Sequence, residues 1–207
     1  MKKVLLINGS LGGKNSSSGA FLRLISSQIK EEYEKEFISA RIKPAGNYPT
    51  GAVAGMCCAD AVIIAFPLYN YCVSGAMMAL LEAYFSHVRL GGSYSKDTKF
   101  YAVVNCGYVL PEINDEAIRV VKNFCLRVGV KWRFATAIAC GPAVLKTGFF
   151  NLNLQKALKA MARDISAKAV GPAPDFYIKP ILPRIIMDTV RKNLDREDLK
   201  RMKINNT

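Results

Sequence analysis

Histidine occurs once in this chain of 207 residues, at position 87. The six cysteines, at 57, 58, 72, 106, 125 and 140, form no C-x-x-C pair. A zinc site therefore has almost no ligands to draw on. Cysteines in this arrangement are expected to be reduced and mostly buried, which suits a cytoplasmic protein. Long hydrophobic runs are missing too. Met1-Lys2-Lys3 is followed by only Val4-Leu5-Leu6-Ile7 before Asn8. That is too short for a signal-peptide core or a membrane span. There is no internal repeat, no low-complexity tract and no clear linker before Gly171. Acidic residues are scarce, 16 against 29 Lys and Arg, for a net charge of +13. Such a balance suits nucleic acid, anionic membrane, small anionic ligands, or simply a soluble protein with scattered lysines. No long Lys/Arg run exists, and aromatics do not interleave with basic residues as in a single-strand platform.

What is present is enough apolar sequence, 51% of the chain, for one domain with a substantial core. Apolar strands alternate with amphipathic stretches. Strands are expected over 2–7, 36–42, 61–66, 99–105 and 132–140. Helices are expected over 19–34, 50–59, 75–86, 115–128 and 155–169. Ala61-Val62-Ile63-Ile64-Ala65-Phe66 does not alternate, as expected of a strand covered on both faces. Five strands separated by helices predict an α/β fold, a parallel doubly wound sheet with helices on both faces. Gly171-Pro172-Ala173-Pro174 breaks the last core helix. It divides a domain, 1–170, from a charged helical C-terminal arm, 171–207. Ile181, Leu182, Ile185, Ile186, Val190 and Leu194 fall near one helical face of the arm. The arm is read as packing on its own domain or on a partner subunit. Membrane-surface contact is the less favoured reading.

The first apolar strand runs straight into Asn8-Gly9-Ser10-Leu11-Gly12-Gly13-Lys14-Asn15-Ser16-Ser17-Ser18-Gly19, and then into a helix. A buried strand, a small hydroxyl-rich loop and a helix start form the layout of an anion site. Its spacing fails the triphosphate P-loop, because only three residues separate Gly9 from Gly13 and Asn15 follows Lys14. It also fails the dinucleotide fingerprint, since Gly9, Gly12 and Gly13 are misplaced and the second strand ends in Arg41-Ile42-Lys43. What remains suits a metal-free phosphate monoester. Ser10, Asn15, Ser16, Ser17, Ser18 and Gly19 are its candidate holders, with a serine also capping the helix.

Two further loops follow strand ends, where open α/β sheets form their ligand crevice. Phe66-Pro67-Leu68-Tyr69-Asn70-Tyr71-Cys72-Val73-Ser74-Gly75 offers tyrosines and apolar neighbours for a flat ring, with Asn70 for its polar edge. Asn105-Cys106-Gly107-Tyr108 repeats the theme one strand on.

Together these three loops resemble those of the flavodoxin-like NAD(P)H-dependent FMN reductase and quinone reductase family, over roughly residues 1–170. Gly9-Ser10 and Ser16 to Ser18 match its phosphate loop. Pro67-Leu68-Tyr69 matches its Pro-Leu-Tyr. Asn105, Gly107 and Tyr108, with Pro111-Glu112 behind, match its third loop. Leu11-Gly12 stand where the family has Pro-Arg, Ser74 where it often has proline, and Val109-Leu110 intervene before Pro111.

The resemblance implies a flavodoxin-like three-layer fold of strand order 2-1-3-4-5. It also implies FMN as cofactor and NAD(P)H as electron donor, with a quinone, flavin or other small molecule as electron acceptor. The FMN-binding residues it implies are the six of the first loop with Pro67, Leu68, Tyr69, Asn70, Tyr71, Asn105, Cys106, Gly107 and Tyr108. No protein acid or base is obligatory, since the flavin carries the hydride. His87 is read as a surface or core-edge residue, and Cys72 and Cys106 as small packing residues at the site. A homodimer is expected, with neither nucleic acid nor metal. Competing readings are a flavodoxin-like electron carrier and a cofactor-free binding protein on the same fold.

Overall fold

The computed structural model describes residues 2–40, 50–146, 151–168 and 171–181. Its centre is one sheet in which every neighbouring pair of strands is parallel. The strands are β1 (Lys3–Asn8), β2 (Glu34–Ser39), β3 (Ala61–Pro67), β4 (Lys99–Asn105), β5 (Lys131–Ile138) and β6 (Phe176–Ile178), in the order β2-β1-β3-β4-β5-β6. The order 2-1-3-4-5 is thus as the loops imply. The sixth strand is not. Residues 176–178 add to the free edge of β5, from Thr136↔Phe176 to Ile138↔Ile178. The Ala135 amide donates to Asp175 Oδ1 at 2.6 Å just ahead of that strand.

Helices α1 (Ser17–Ser26), α5 (Gly141–Lys146) and α6 (Leu152–Ser166) cover one face of the sheet. Helices α2 (Thr50–Cys58), α3 (Gly75–Arg89) and α4 (Asp115–Val128) cover the other. The period of two along β1 makes this division. Val4 and Leu6 meet Phe21, Leu22 and Ile25 of α1, while Leu5 and Ile7 join Met56 and Met77 on the far side. With both faces covered, the central strands are apolar throughout, as β3 required.

The first helix ends at Ser26, short of the expected Glu34. Ile29 and Tyr33 turn inward to the core from a loop that must lead back into β2 at its edge. α5 is an addition, too short for a periodic signal. The cysteines depart from expectation. Only Cys106 and Cys125 are buried, Cys57 and Cys140 are half-buried, and Cys58 and Cys72 are exposed. Cys72 therefore is not a packing residue. It sits at a hairpin end, where its side chain has no layer above it. His87 is half-buried in the last turn of α3, at the edge of the core as expected. No helix among the described residues is long and apolar enough to cross a membrane. The expected turn at 44–49 and the charged helical pieces at 184–193 and 196–203 lie outside the described residues.

Sequence order takes the chain from β1 outward to β2 and back across to β3. The reversal opens a crevice at the carboxyl ends of β1 and β3. The first two candidate loops emerge there, and the third leaves the end of β4 next to them.

Candidate functional site

Asn8 ends β1 and organises the first loop. Its amide nitrogen donates to the Gly13 carbonyl at 2.7 Å and to Ser16 Oγ at 3.3 Å. Its Oδ1 accepts from the Ser10 amide at 3.0 Å. Ser10 in turn accepts from the Gly12 amide at 3.2 Å. Ser16 caps α1: its hydroxyl donates to the Gly13 carbonyl at 2.6 Å and accepts from the Gly19 amide at 3.1 Å. A cap of this kind contributes about 0.5–2 kcal/mol. Gly19 must be glycine, since a Cβ there would lie 2.9 Å from the Lys14 carbonyl oxygen. Gly13 turns the chain with a φ of +59°.

Much of the loop's polarity is thus spent on its own shape. What remains turned outward are the exposed side chains of Lys14 and Asn15 and the amides of Ser17 and Ser18, which open α1 and lack partners within the helix. That donor set fits a phosphate monoester. It also supplies a cation, Lys14, close to where Leu11-Gly12 replace the expected arginine.

Hydrogen bonds tie the three loops together. The Asn105 side chain, buried at the end of β4, donates to Ser18 Oγ at 2.8 Å and to the Phe66 carbonyl at 3.2 Å. The Asn105 backbone carbonyl accepts from the Leu68 amide at 2.8 Å. Ser74 caps α3 and donates to the Gly9 carbonyl at 3.0 Å, joining the first loop to the second. Asn8 and Ser74 were not among the expected site residues. Their signal was a polar side chain closing an apolar strand and a serine opening a helix.

The second loop is a tight hairpin. Tyr69 and Cys72 exchange backbone hydrogen bonds at 3.1 and 2.9 Å, and Asn70 and Tyr71 between them have φ of +46° and +61°. Two successive left-handed residues define a type I′ turn. Asn tolerates this conformation well, and tyrosine does not. The turn presents Tyr71 to Tyr108 of the third loop. Their rings stack with centroids 5.6 Å apart and planes 23° apart, and Tyr108 Oη donates to Tyr71 Oη at 3.2 Å. Pro67 and Leu68, half-buried, form the shoulder below. Tyr69 and Asn70 are exposed, and Tyr69 has no ring partner among the described residues. A flat ring inserted between Tyr71 and Tyr108 needs about 7 Å of centroid separation. One ring must therefore move, or the ligand must stack on an outer face.

The third loop is held from below. Cys106 is buried, its amide donating to the Ile138 carbonyl at 3.0 Å, while Gly107 and Tyr108 face outward. Beside it, Tyr177 of β6 donates to Asp115 Oδ1 at 2.9 Å. Burial and that bond push its phenol pKa up to about 12. No cluster of His, Cys, Asp or Glu among the described residues could hold a metal ion.

A fold of this form is flavodoxin-like. No family model matches the chain, and no curated protein matches it in sequence. Solved structures do match in fold. An NADH:FMN oxidoreductase in its apo form superposes with a TM-score of 0.60 at 13% identity, over 80% of this chain and 88% of that one. A quinone reductase described as putative, from Klebsiella pneumoniae, gives 0.56 at 13% identity over 87% of each chain. An archaeal flavodoxin gives 0.53 at 13% identity, over 80% of this chain and 99% of its own. Enzymes and a carrier thus share the architecture, and the site must decide between them.

Proposed function

We propose that this protein is an FMN-dependent oxidoreductase that takes hydride from NAD(P)H and passes electrons to a quinone, a flavin or another small acceptor. One observation carries the reading: a pair of exposed, stacked tyrosines stands beside an outward-facing set of anion donors, at the reversal point of a flavodoxin-like sheet. In this reading Lys14, Asn15 and the amides of Ser17 and Ser18 hold the phosphate. Tyr71 and Tyr108 bear on the ring, with Pro67 and Leu68 supporting its edge. FMN, when bound, supplies the hydride-accepting centre. The chain's own part is to place the ring, and to offer the amides of Gly107 and Tyr108 near it. Resemblance to NADH- and quinone-linked neighbours supports the class of donor and acceptor. A homodimer in the cytoplasm, acting without nucleic acid, belongs to the same proposal.

A specific observation favours a second reading. Ser10, Ser16 and Ser18 already have hydrogen-bond partners within the protein, and the tyrosines close on each other. Both features suit loose binding, with FMN as a passing substrate or with no cofactor at all.

Titration of the purified protein with FMN and with riboflavin, followed by NAD(P)H oxidation, separates these readings. The proposal expects a shifted flavin spectrum, tighter binding of FMN than of riboflavin, and turnover with added quinone. Equal affinities would remove the phosphate assignment. No uptake at high FMN would leave the cofactor-free protein. A stable semiquinone without NAD(P)H turnover would mark a carrier.

A further inference from the structure

Two of the six cysteines lie just beyond the ends of the paired strands β4 and β5. Cys106 donates its amide to the Ile138 carbonyl and accepts from the Gly141 amide at its own carbonyl, both at 3.0 Å. Ala139 and Cys140 both lie between those two bonds, one residue more than a regular parallel ladder holds, so Cys140 occupies an irregular turn beside Cys106. The two thiols converge on one atom: the Tyr108 carbonyl oxygen, 3.7 Å from Cys106 Sγ and 3.3 Å from Cys140 Sγ. Neighbouring strand ends set Cα atoms at the separation that a disulfide spans.

The backbone at Cys140 is the second observation. Its φ is +45°, in the left-handed region that a non-glycine residue seldom occupies. Glycine would relieve that conformation, and glycine is the very next residue. The strained position is held by the Cys140 amide donating to the same Tyr108 carbonyl at 2.8 Å. Strain of this kind collects where a side chain has a task. Access is graded as well: Cys140 is half-buried, while Cys106 is buried behind it with Asn114 donating to its sulfur at 3.6 Å. Burial raises both thiol pKa values, and for Cys106 the hydrogen bonds oppose that rise.

We propose that Cys106 and Cys140 are a redox dithiol that closes to a disulfide by exchange with a small-molecule disulfide of the oxidised-glutathione class. Cys140, the more accessible, loses its proton to solvent, and its thiolate attacks one sulfur of that reagent. The reagent's S–S bond breaks, and one small thiol departs with a proton. Deprotonated Cys106 then attacks Cys140 Sγ, forming the Cys106–Cys140 bond and expelling the second small thiol. Two protein thiols are oxidised and one small disulfide is reduced. The closed form removes both S–H donors from the Tyr108 carbonyl and staples the third loop to the turn after β5. Cys57 and Cys58 are neighbours on α2, Cys72 is on the hairpin and Cys125 is in the core. Among the described residues, no other pair shares a hydrogen-bond partner across two strands.

The site needs no flavin to operate, so its test is independent of the proposed oxidoreductase activity. The full chain, fully reduced, is incubated with oxidised glutathione, quenched by alkylation and mapped by peptide mass under non-reducing conditions. The wild-type map is expected to show a Cys106–Cys140 cross-link, released by a reductant. Cys106→Ser is expected to stop at a stable glutathione adduct on Cys140. A wild-type chain that accumulates that adduct with Cys106 still free would overturn the proposal. So would a dominant cross-link through Cys57, Cys58 or Cys72. The wild-type map decides even if the variant folds poorly.

Discussion

At the scale of single residues, the most consequential contact lies at the end of the sheet away from the site. Arg133, 3% exposed, forms a two-pronged pair with Asp164 of α6 at 2.7 Å through both Nε and Nη2. Tyr101 Oη donates to the same carboxylate at 2.7 Å. Lys99 Nζ donates to the carbonyls of Asp164 and Ala167, satisfying the end of the helix. Burial works to raise the Asp164 pKa. The bonds from Arg133 and Tyr101, with the charges of Arg133 and Lys99, overcome it and hold the carboxyl below its ordinary value. Stability from this pair is therefore complete above the normal aspartate range and is lost as pH falls through the depressed value. Asp164→Ala strands a buried guanidinium and should cost about 3–5 kcal/mol at neutral pH. In urea unfolding at pH 7 and again at pH 3, the gap to wild type should narrow at the lower pH. Sequence reading did not find this cluster. Lys99, Tyr101, Arg133 and Asp164 share no motif, and only the parallel pairing of β4 with β5 brings them to α6. Asn8 and Asn105 were easier to reach, since each is the polar residue that ends an apolar strand, yet only Asn105 had been marked.

Among elements, the hairpin at 69–72 and the edge strand β6 show what pattern can and cannot reveal. Long elements were legible because their apolar period is. Val62 to Phe66 is buried at every position, and α4 places Ile118, Val121 and Cys125 on one face. β6 is three residues between prolines, too short for a period, and its existence depends on an open edge of β5. The break at 171–174 was legible, the strand after it was not. In the hairpin, Tyr71 and Tyr108 are equally exposed and give up the same stack when replaced, but only Tyr71 has a positive φ. Replacing each with glycine should therefore give unequal results. Tyr71→Gly should be the more stable by about 1–2 kcal/mol, the strain that a side chain suffers in the left-handed region. Paired chemical denaturation of the two variants measures the difference.

For the molecule as a whole, topology was legible and charge placement was not. Alternating strands and helices, with the crossover rule, leave few arrangements other than a doubly wound sheet. The +13 charge could be read only as a total. In the fold, α6 turns Lys156, Lys159 and Arg163 outward and Arg23 of α1 stands in the same layer, while the one acid of α6, Asp164, points inward to Arg133. None of these four cations has a carboxylate within ion-pair distance among the described residues. Like charge on one layer opposes compaction. Lys159→Glu should raise stability by about 0.2–1 kcal/mol at low salt and by less as salt screens it. Melting temperatures across a salt series report that trend. The stacked tyrosines act on the same whole-molecule equilibrium. An aromatic pair of this kind contributes about 0.5–1.5 kcal/mol. With that energy and the Tyr108–Tyr71 hydrogen bond to overcome, the molecules with the rings parted are a minority. A ligand that must slip between them meets only that minority, and its apparent affinity falls in proportion. Under the proposed function, the grip on a flat ring is thus set partly by how often the protein's own two rings let go of each other.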